Sequence, residues 1–285
     1  MIYELFMLNN EIDLLEIKLE ELYDFVDKFI IIESTHTHSN LPKKLHYVEN
    51  EHRFTKYKDK IIHLVCNFSD TYLYRNHKKV YQGLNKEVTE IWYREHFQRD
   101  FGIISGQIKF DDEDIIIVTD LDEIIDKKAV SRIINETEID KIYRLEMSLH
   151  FYKFNLRVPY PVMWRHSFIS RYKHLKNFNF AISYVRHNYK FLAPEYFEIL
   201  LERMGWHFTY LMSPNDIVNK KLKQFAHAED TFSKETTVEM MESNIQDKKF
   251  WVYNMEVCPI TELPNTVSNL INSEKFIKFF ESTHP

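Results

Sequence analysis

Residues 111–124 read DDEDIIIVTDLDEI, and this stretch decides how the rest of the chain is understood. Its centre, Ile115–Val118, is a continuous apolar run too short for a helix, as expected of a strand covered on both faces. A polar turn precedes it, and Asp120, Asp122 and Glu123 crowd its C-terminal end. Upstream, residues 2–8 (IYELFML) form a first strand, after which Asn9 and Asn10 offer caps to a helix. Ile12, Leu15, Leu19, Leu22 and Val26 recur at the helical period, and Phe29 to Ile32 is a second buried strand ending at Glu33 and Ser34. A polar loop, THTHSNLPKK, leads to a third strand at 61–65 (IIHLV), and an amphipathic helix is expected over 84–101 around Leu84, Val88, Ile91 and Trp92. Asp120 thus closes the fourth strand, and a helix begins at about Lys127. Alternating strands and helices predict an α/β fold, a Rossmann-like mixed sheet flanked by helices. In such sheets ligands bind beyond the carboxyl ends of the strands, where Glu33 and Asp120 both fall.

The chain has 285 residues with 37 Lys and Arg against 43 Asp and Glu, a net charge of −6. An acidic chain of ordinary apolar content argues against nucleic-acid binding, disorder and a coiled coil. Average usage would supply roughly 20 glycines; the chain has four, Gly83, Gly102, Gly106 and Gly205, from which neither a GxGxxG motif nor a P-loop can be written. Cys66 and Cys258 form no CxxC and read as free thiols in a reducing compartment. No apolar run approaches a membrane span, and the N-terminal residues do not read as a signal peptide, so a cytoplasmic protein is expected. The whole chain, 1–285, reads as one domain, with a nucleotide-binding half at 1–125 and a strand-rich half at 126–285.

Asp120 and Asp122, at i and i+2 beyond a strand, can reach one hard cation if the chain turns between them. Mn²⁺ or Mg²⁺ so held could grip a diphosphate in place of the missing glycine loop. The same tripeptide can equally be a solvated turn ahead of the next helix. A phosphatase of the haloacid-dehalogenase kind also carries DxD after a strand, but after the first one. His207, in Gly205-Trp206-His207-Phe208-Thr209, is either a further ligand or a hydrogen-bonded core residue. Ser213, Pro214 and Asp216 have the spacing of a helix start, which makes Asp216 a cap residue. Arg94 and Arg99 could meet a diphosphate or pair with Glu90 and Glu95 four residues before them. From Met147 to Pro194 there is no acid but eight Lys and Arg amid many aromatics, a surface suited to a sugar acceptor or simply a core.

Five stretches together resemble glycosyltransferase family 17, the β-1,4-mannosyl-glycoprotein β-1,4-N-acetylglucosaminyltransferase-like proteins. They are NNEIDLLEIKLEELYDFVDKFIIIEST, LPKKLHYVENEHRFTKYKDKIIHLV, WYREHFQR, DEDIIIVTDLDEI and GWHFTYLMSPNDIVNKKLKQFAHAE, running with gaps from about residue 4 to 230. The resemblance implies a GT-A-type nucleotide-diphospho-sugar fold, inversion, a UDP-sugar donor (typically UDP-N-acetylglucosamine), a glycan acceptor and a divalent metal at Asp120 and Asp122. The family pattern Ser-His-x-Glu is Ala226-His227-Ala228-Glu229 here, and the Gly-rich turn after GWHxSY is replaced by Met212-Ser213-Pro214-Asn215. An inverting enzyme needs one carboxylate as base; Glu229 and Asp216 are the candidates, with Glu195 and Glu198 also open. Glu33 is placed to accept from uracil or ribose, and Arg94, Arg99 and Asp120 to flank the diphosphate. A non-catalytic glycan- or polyanion-binding module on the same fold is the alternative reading.

Overall fold

The computed structural model describes residues 1–69, 71–84, 88–136, 138–188, 193–224 and 234–282. Glu229, with Ala226, His227 and Ala228, lies outside the described residues.

The front half alternates as expected: β1 (Ile2–Leu8), α1 (Ile12–Leu22), β2 (Lys28–Ser34), a short α2 (His46–Glu49), β3 (Ile61–Cys66), α3 (Tyr72–Leu84), α4 (Glu90–Ile104) and β4 (Ile115–Val118). The helix anticipated over 84–101 is corrected: it is α4, which begins only at Glu90 and carries Ile91 and Trp92, while Leu84 ends the unanticipated α3 and Val88 lies in neither helix. Strands β3, β2, β1 and β4 lie side by side in that order, all parallel, so their C-terminal ends share one edge. Alternate residues serve the two faces. Phe6, Phe29, Ile31 and Ile117 pack under α1, whereas Leu5, Ile30, Ile32 and Ile116 pack under α4. The helix on the second face lies very close, because a Cβ on Gly102 would come within 2.4 Å of Leu5 Cδ1 and 2.8 Å of Ile32 Cδ1.

The back half extends the same sheet. After β5 (Glu123–Ile125) and α5 (Lys127–Glu136), the long β6 (Ile142–Phe151) is buried throughout. The two-residue β7 (Leu156–Arg157) and β8 (Met163–Trp164) run antiparallel to it, and β9 (Phe168–Arg171) bridges it antiparallel to β4. The short α6 (Tyr172–Leu175) and α7 (Ile182–His187) lead to β10 (Phe197–Thr209), parallel to β6. In all, 11 described strands form one mixed sheet. The basic aromatic stretch contributes chiefly to the interior: Tyr152, Phe154, Phe168 and Ile182 are all buried.

The segment after residue 249 folds back across α1. The Thr266 amide donates to Glu21 Oε2 at 2.8 Å, Lys275 pairs with Asp13 at 2.5 Å, and Phe279 O accepts from the Phe154 amide. Cys66 and Cys258 are buried free thiols. Among the described residues no helix is long and apolar enough to cross a membrane.

Candidate functional site

The turn after β4 is shaped from beneath by a lysine. Lys18 occupies the apolar stripe of α1 between Leu15 and Leu22 and is fully buried. Its ammonium pairs with Glu4 at 2.9 Å and donates to Thr119 Oγ1 (2.9 Å), Asp120 O (3.0 Å) and Glu123 O (2.6 Å). Thr119 Oγ1 in turn donates to Glu4 Oε1 at 2.9 Å. A buried charge persists only when its partners are complete, and here they include two carbonyls of the Asp120–Glu123 turn. The backbone is therefore fixed before any ligand arrives.

Above that post the acids diverge. Asp120 is gripped by two fully buried guanidiniums, Arg99 from α4 at 3.1 Å and Arg186 from α7 at 2.6 Å. Burial alone would raise its pKa, but Arg186 and Arg99 outweigh that and hold the carboxyl well below the usual carboxylate range. Glu123, wholly buried, accepts from the Asp120 amide (2.7 Å), Ser167 Oγ (2.5 Å), Arg186 and Trp164 Nε1. Burial would raise Glu123 as well, and Arg186 chiefly overrides it to leave the group lowered. Arg99 also pairs with Glu95 at 3.0 Å, the expected helix pair, so it joins Glu95 to Asp120. Arg94 instead donates to the His38 carbonyl at 2.8 Å, and Glu90 pairs with Lys78.

Three histidines complete this dry side. Burial, followed by Arg186, lowers His166 to about 4; burial and neighbouring positive charge push His187 well below 6.5; burial dominates over Glu95 in lowering His38. All three are neutral at pH 7, so positive charge beside Asp120 comes from the arginines.

Asp122 faces the other way. His207 Nε2 lies 3.5 Å from Oδ1 and Lys221 Nζ 3.5 Å from Oδ2, with the carboxylate side chain 17% exposed. Burial would raise its pKa, and His207 and Lys221 bring it below the ordinary value. Strand pairing explains His207: β5 runs antiparallel to β10 with Glu123 opposite His207. Gly205 permits this, because a Cβ there would sit 2.4 Å from Ile124 O. His207 Nδ1 is buried with no hydrogen-bond partner. Lys221 also lies 3.8 Å from Glu11, and Asp122 and Glu11 together outweigh the effect of burial and raise its pKa, keeping it charged.

Other sequence candidates fall elsewhere. Glu33 is buried at the end of β2 and spends both oxygens internally, on Lys43 (3.2 Å), His63 (3.1 Å) and the amides of His46 and Tyr47. These contacts make Glu33 a hub pinning residues 43–47. Burial would raise its pKa; His63, Lys43 and the His46 amide lower it overall. Ser213 caps the helical turn as expected, its Oγ accepting from the Asp216 amide at 3.1 Å and donating to Asp216 Oδ2 at 2.8 Å, while Asp216 pairs with Lys220 at 2.6 Å in the wall of a cleft. Glu198 pairs with Lys141 at the start of β10, and Glu195 precedes that strand, both at the opposite end from His207. Asp114, in the polar turn before β4, is buried and accepts from the Asp111 amide at 2.8 Å.

Lys18, Arg186, Lys221 and Glu11 were not among the sequence candidates. Lys18 had a legible signal, a charge inside an apolar helical stripe. The others are joined to Asp120 and Asp122 only by tertiary folding.

Beside Asp122 opens a cleft of about 350 Å³, reached from the β1–α1 connection, the end of β10 and the segment after residue 275. Lys221 belongs both to its wall and to the Asp122 pair.

Comparison with known proteins follows this geometry. No individually curated protein matches the chain. Among solved structures, the chain is similar to the 2-C-methyl-D-erythritol 4-phosphate cytidylyltransferase of Francisella tularensis at 12% identity, over 78% of this chain and 99% of that one, with a TM-score of 0.35. It is likewise similar to a 4-diphosphocytidyl-2C-methyl-D-erythritol synthase at 12% identity, over 78% and 97% of the chains, with a TM-score of 0.38. At those scores neither structure bears on the site. The model of glycosyltransferase family 17 matches residues 1–249, which include the Asp120–Glu123 turn, His207 and Lys221. The chain is a glycosyltransferase and belongs to family 17.

Proposed function

We propose that this glycosyltransferase moves a sugar, N-acetylglucosamine, from its UDP donor to a glycan hydroxyl with inversion at the anomeric carbon. The observation that carries the reading is the Asp120–Glu123 turn: rigid, at the C-terminal edge of the parallel strands, with Asp122 aimed at His207 beside an open cleft. That edge is where α/β sheets take up nucleotides.

The donor set is compatible with a cation that arrives with its diphosphate. Among the described residues no three His, Cys, Asp or Glu are grouped to hold a metal. Asp122 and His207 nevertheless make a pair, and Mg²⁺ at nucleotide sites typically takes one or two carboxylates, with phosphate oxygens and water completing the shell. Asp122 and His207 would hold Mn²⁺ or Mg²⁺; Asp120 would join them only by releasing an arginine. When bound, the ion supplies Lewis-acid stabilisation to the leaving diphosphate. Arg99 and Arg186 are buried behind Asp120, so they act through that carboxylate, fixing its rotamer and adding positive potential to the floor. Lys221 contributes a charged donor on the cleft side.

A second reading rests on Lys221. Its ammonium already lies beside Asp122 on the cleft side and could neutralise the departing UDP without a metal. Thermal shift decides between them. UDP is expected to raise Tm with Mn²⁺ and not in EDTA, and Asp122→Asn to abolish the rise. A full shift in EDTA selects the Lys221 reading. Binding of UDP with no UDP release from UDP-N-acetylglucosamine selects the non-catalytic glycan-binding module.

A further inference from the structure

We infer that the 350 Å³ cleft is the acceptor subsite, taking a neutral pyranoside, and that Glu11 is the carboxylate that deprotonates the attacking hydroxyl. This rests on the UDP-sugar reading above and assigns the half of the reaction that reading leaves open.

The chemistry of the walls carries the assignment. Phe154, Phe208, Tyr210, Phe276 and Phe279 line the cleft, and aromatic rings are the surfaces on which the apolar faces of sugar rings pack. Two of them, Phe276 and Phe279, come from the segment beyond the family match at 249. Tyr210 is held with φ at +59°, a left-handed conformation costly for a bulky residue. Across the β6–β10 register Tyr152 is left-handed too, at φ +66°, and its ring stacks with that of Tyr210. Tyr210 thus presents its ring to the cleft from a strained backbone, with the buried Tyr152 packed against it.

The acids in the cleft are not equivalent. Asp13 is taken by Arg53 at 2.6 Å and Lys275 at 2.5 Å, and Asp216 by Lys220 at 2.6 Å. Glu11 has a longer pairing, 3.8 Å to Lys221, and an oxygen 3.1 Å from the Asn10 amide. That lysine is the one beside Asp122, so a single ammonium separates Glu11 from the acid proposed to hold the cation. Glu11 therefore stands on the acceptor side and Asp122 on the leaving-group side. In the transfer, the acceptor oxygen bonds to the anomeric carbon as the bond from that carbon to the β-phosphate oxygen breaks. UDP departs with the electron pair, and the hydroxyl proton goes to Glu11.

The test uses the full chain with UDP, UDP-N-acetylglucosamine and the methyl β-glycosides of mannose, galactose, glucose and N-acetylglucosamine. Glu11→Gln is expected to lower kcat by about 100-fold or more and to remove the acidic limb of the pH profile. The UDP-induced rise in Tm should be retained, and Glu11→Asp should recover part of the rate. Phe279→Ala, or Phe276→Ala if the first variant is poorly folded, should raise the acceptor KM roughly tenfold while the donor KM is unchanged. Transfer by Glu11→Gln within threefold of wild type overturns the inference. A fall in UDP affinity in the phenylalanine variants does the same, since it would place the nucleotide in the cleft. So does release of UDP with no glycoside in the panel accepted. Failure of wild type to bind UDP with or without metal overturns the donor reading itself, and this one with it.

Discussion

Asp120 and Asp122 are separated by one residue, yet their surroundings differ in kind. On the Asp120 side two buried arginines, a buried glutamate and neutral histidines form a closed network with contacts near 3 Å. On the Asp122 side His207 and Lys221 stand off at 3.5 Å and a cleft opens. A turn with carboxylates at i and i+2 can thus point one into the protein and the other at a ligand. The first is bound into the fold, and the second is the one the proposed function assigns to the chemistry.

Substitution of the two acids is the strongest way to break this contrast. Asp122→Asn should reduce UDP release from UDP-N-acetylglucosamine by about 100-fold or more while Tm without ligand stays close to wild type. Asp120→Asn should lower activity as well, but also destabilise the fold by about 3 kcal/mol, because Arg99 and Arg186 lose a buried partner. Equal denaturation midpoints for the two variants would show that no such division exists. Lys18→Met tests the post beneath both. It leaves Glu4 buried and unpaired, and should cost about 3–5 kcal/mol in urea unfolding. Next comes Gly205→Ala, whose Cβ would meet the Ile124 carbonyl and push β5 outward. A loss of about 1–3 kcal/mol is expected, with activity falling further than stability because Glu123 and His207 face each other in that strand pair.

Acid sharpens the comparison more gently. His166 is depressed to about 4 in the folded chain, below its ordinary 6.5, so the unfolded chain takes up its proton first. Its contribution is intact above pH 6.5 and is lost as pH falls toward 4, at up to about 1.4 kcal/mol per pH unit. His166→Gln should flatten that part of the stability profile, measured by urea midpoints between pH 4 and 7. The smallest effect belongs to Arg132→Ala, which removes a half-exposed pair with Glu202 and should change stability by no more than about 1 kcal/mol.

Much of the frame was legible in the sequence because burial repeats. Ile115–Val118 and Phe29–Ile32 are apolar on both faces and could only be interior strands, and α1 shows its helical period plainly. Helix boundaries were less so: α4 begins later than expected, at Glu90, and α3 was not read at all, since apolar periodicity marks a face and not where the chain turns. Within the site, Asp120, Asp122 and His207 could be picked out by residue type and strand position. Their different fates could not, because Arg186 and Lys221 reach them from 66 and 99 residues away in the chain. Glu33 shows the converse. Its place at a strand end was right, but His63 and Lys43, which consume it, come from a neighbouring strand and a loop.

Helix α1 joins two distant parts of the molecule: Glu21 is fastened to Thr266, and one turn earlier Lys18 moulds the backbone of the Asp120–Glu123 turn. Trimming the chain to the boundaries of the family match would therefore do more than shorten it. A fragment ending at residue 249 would keep every acid, histidine and arginine named around Asp120 and Asp122, yet its first helix would lose the far anchor that seats it. Such a minimal version would be expected to turn over poorly through lost mooring as well as through the missing Phe276 and Phe279 of the cleft wall, with no reactive group missing.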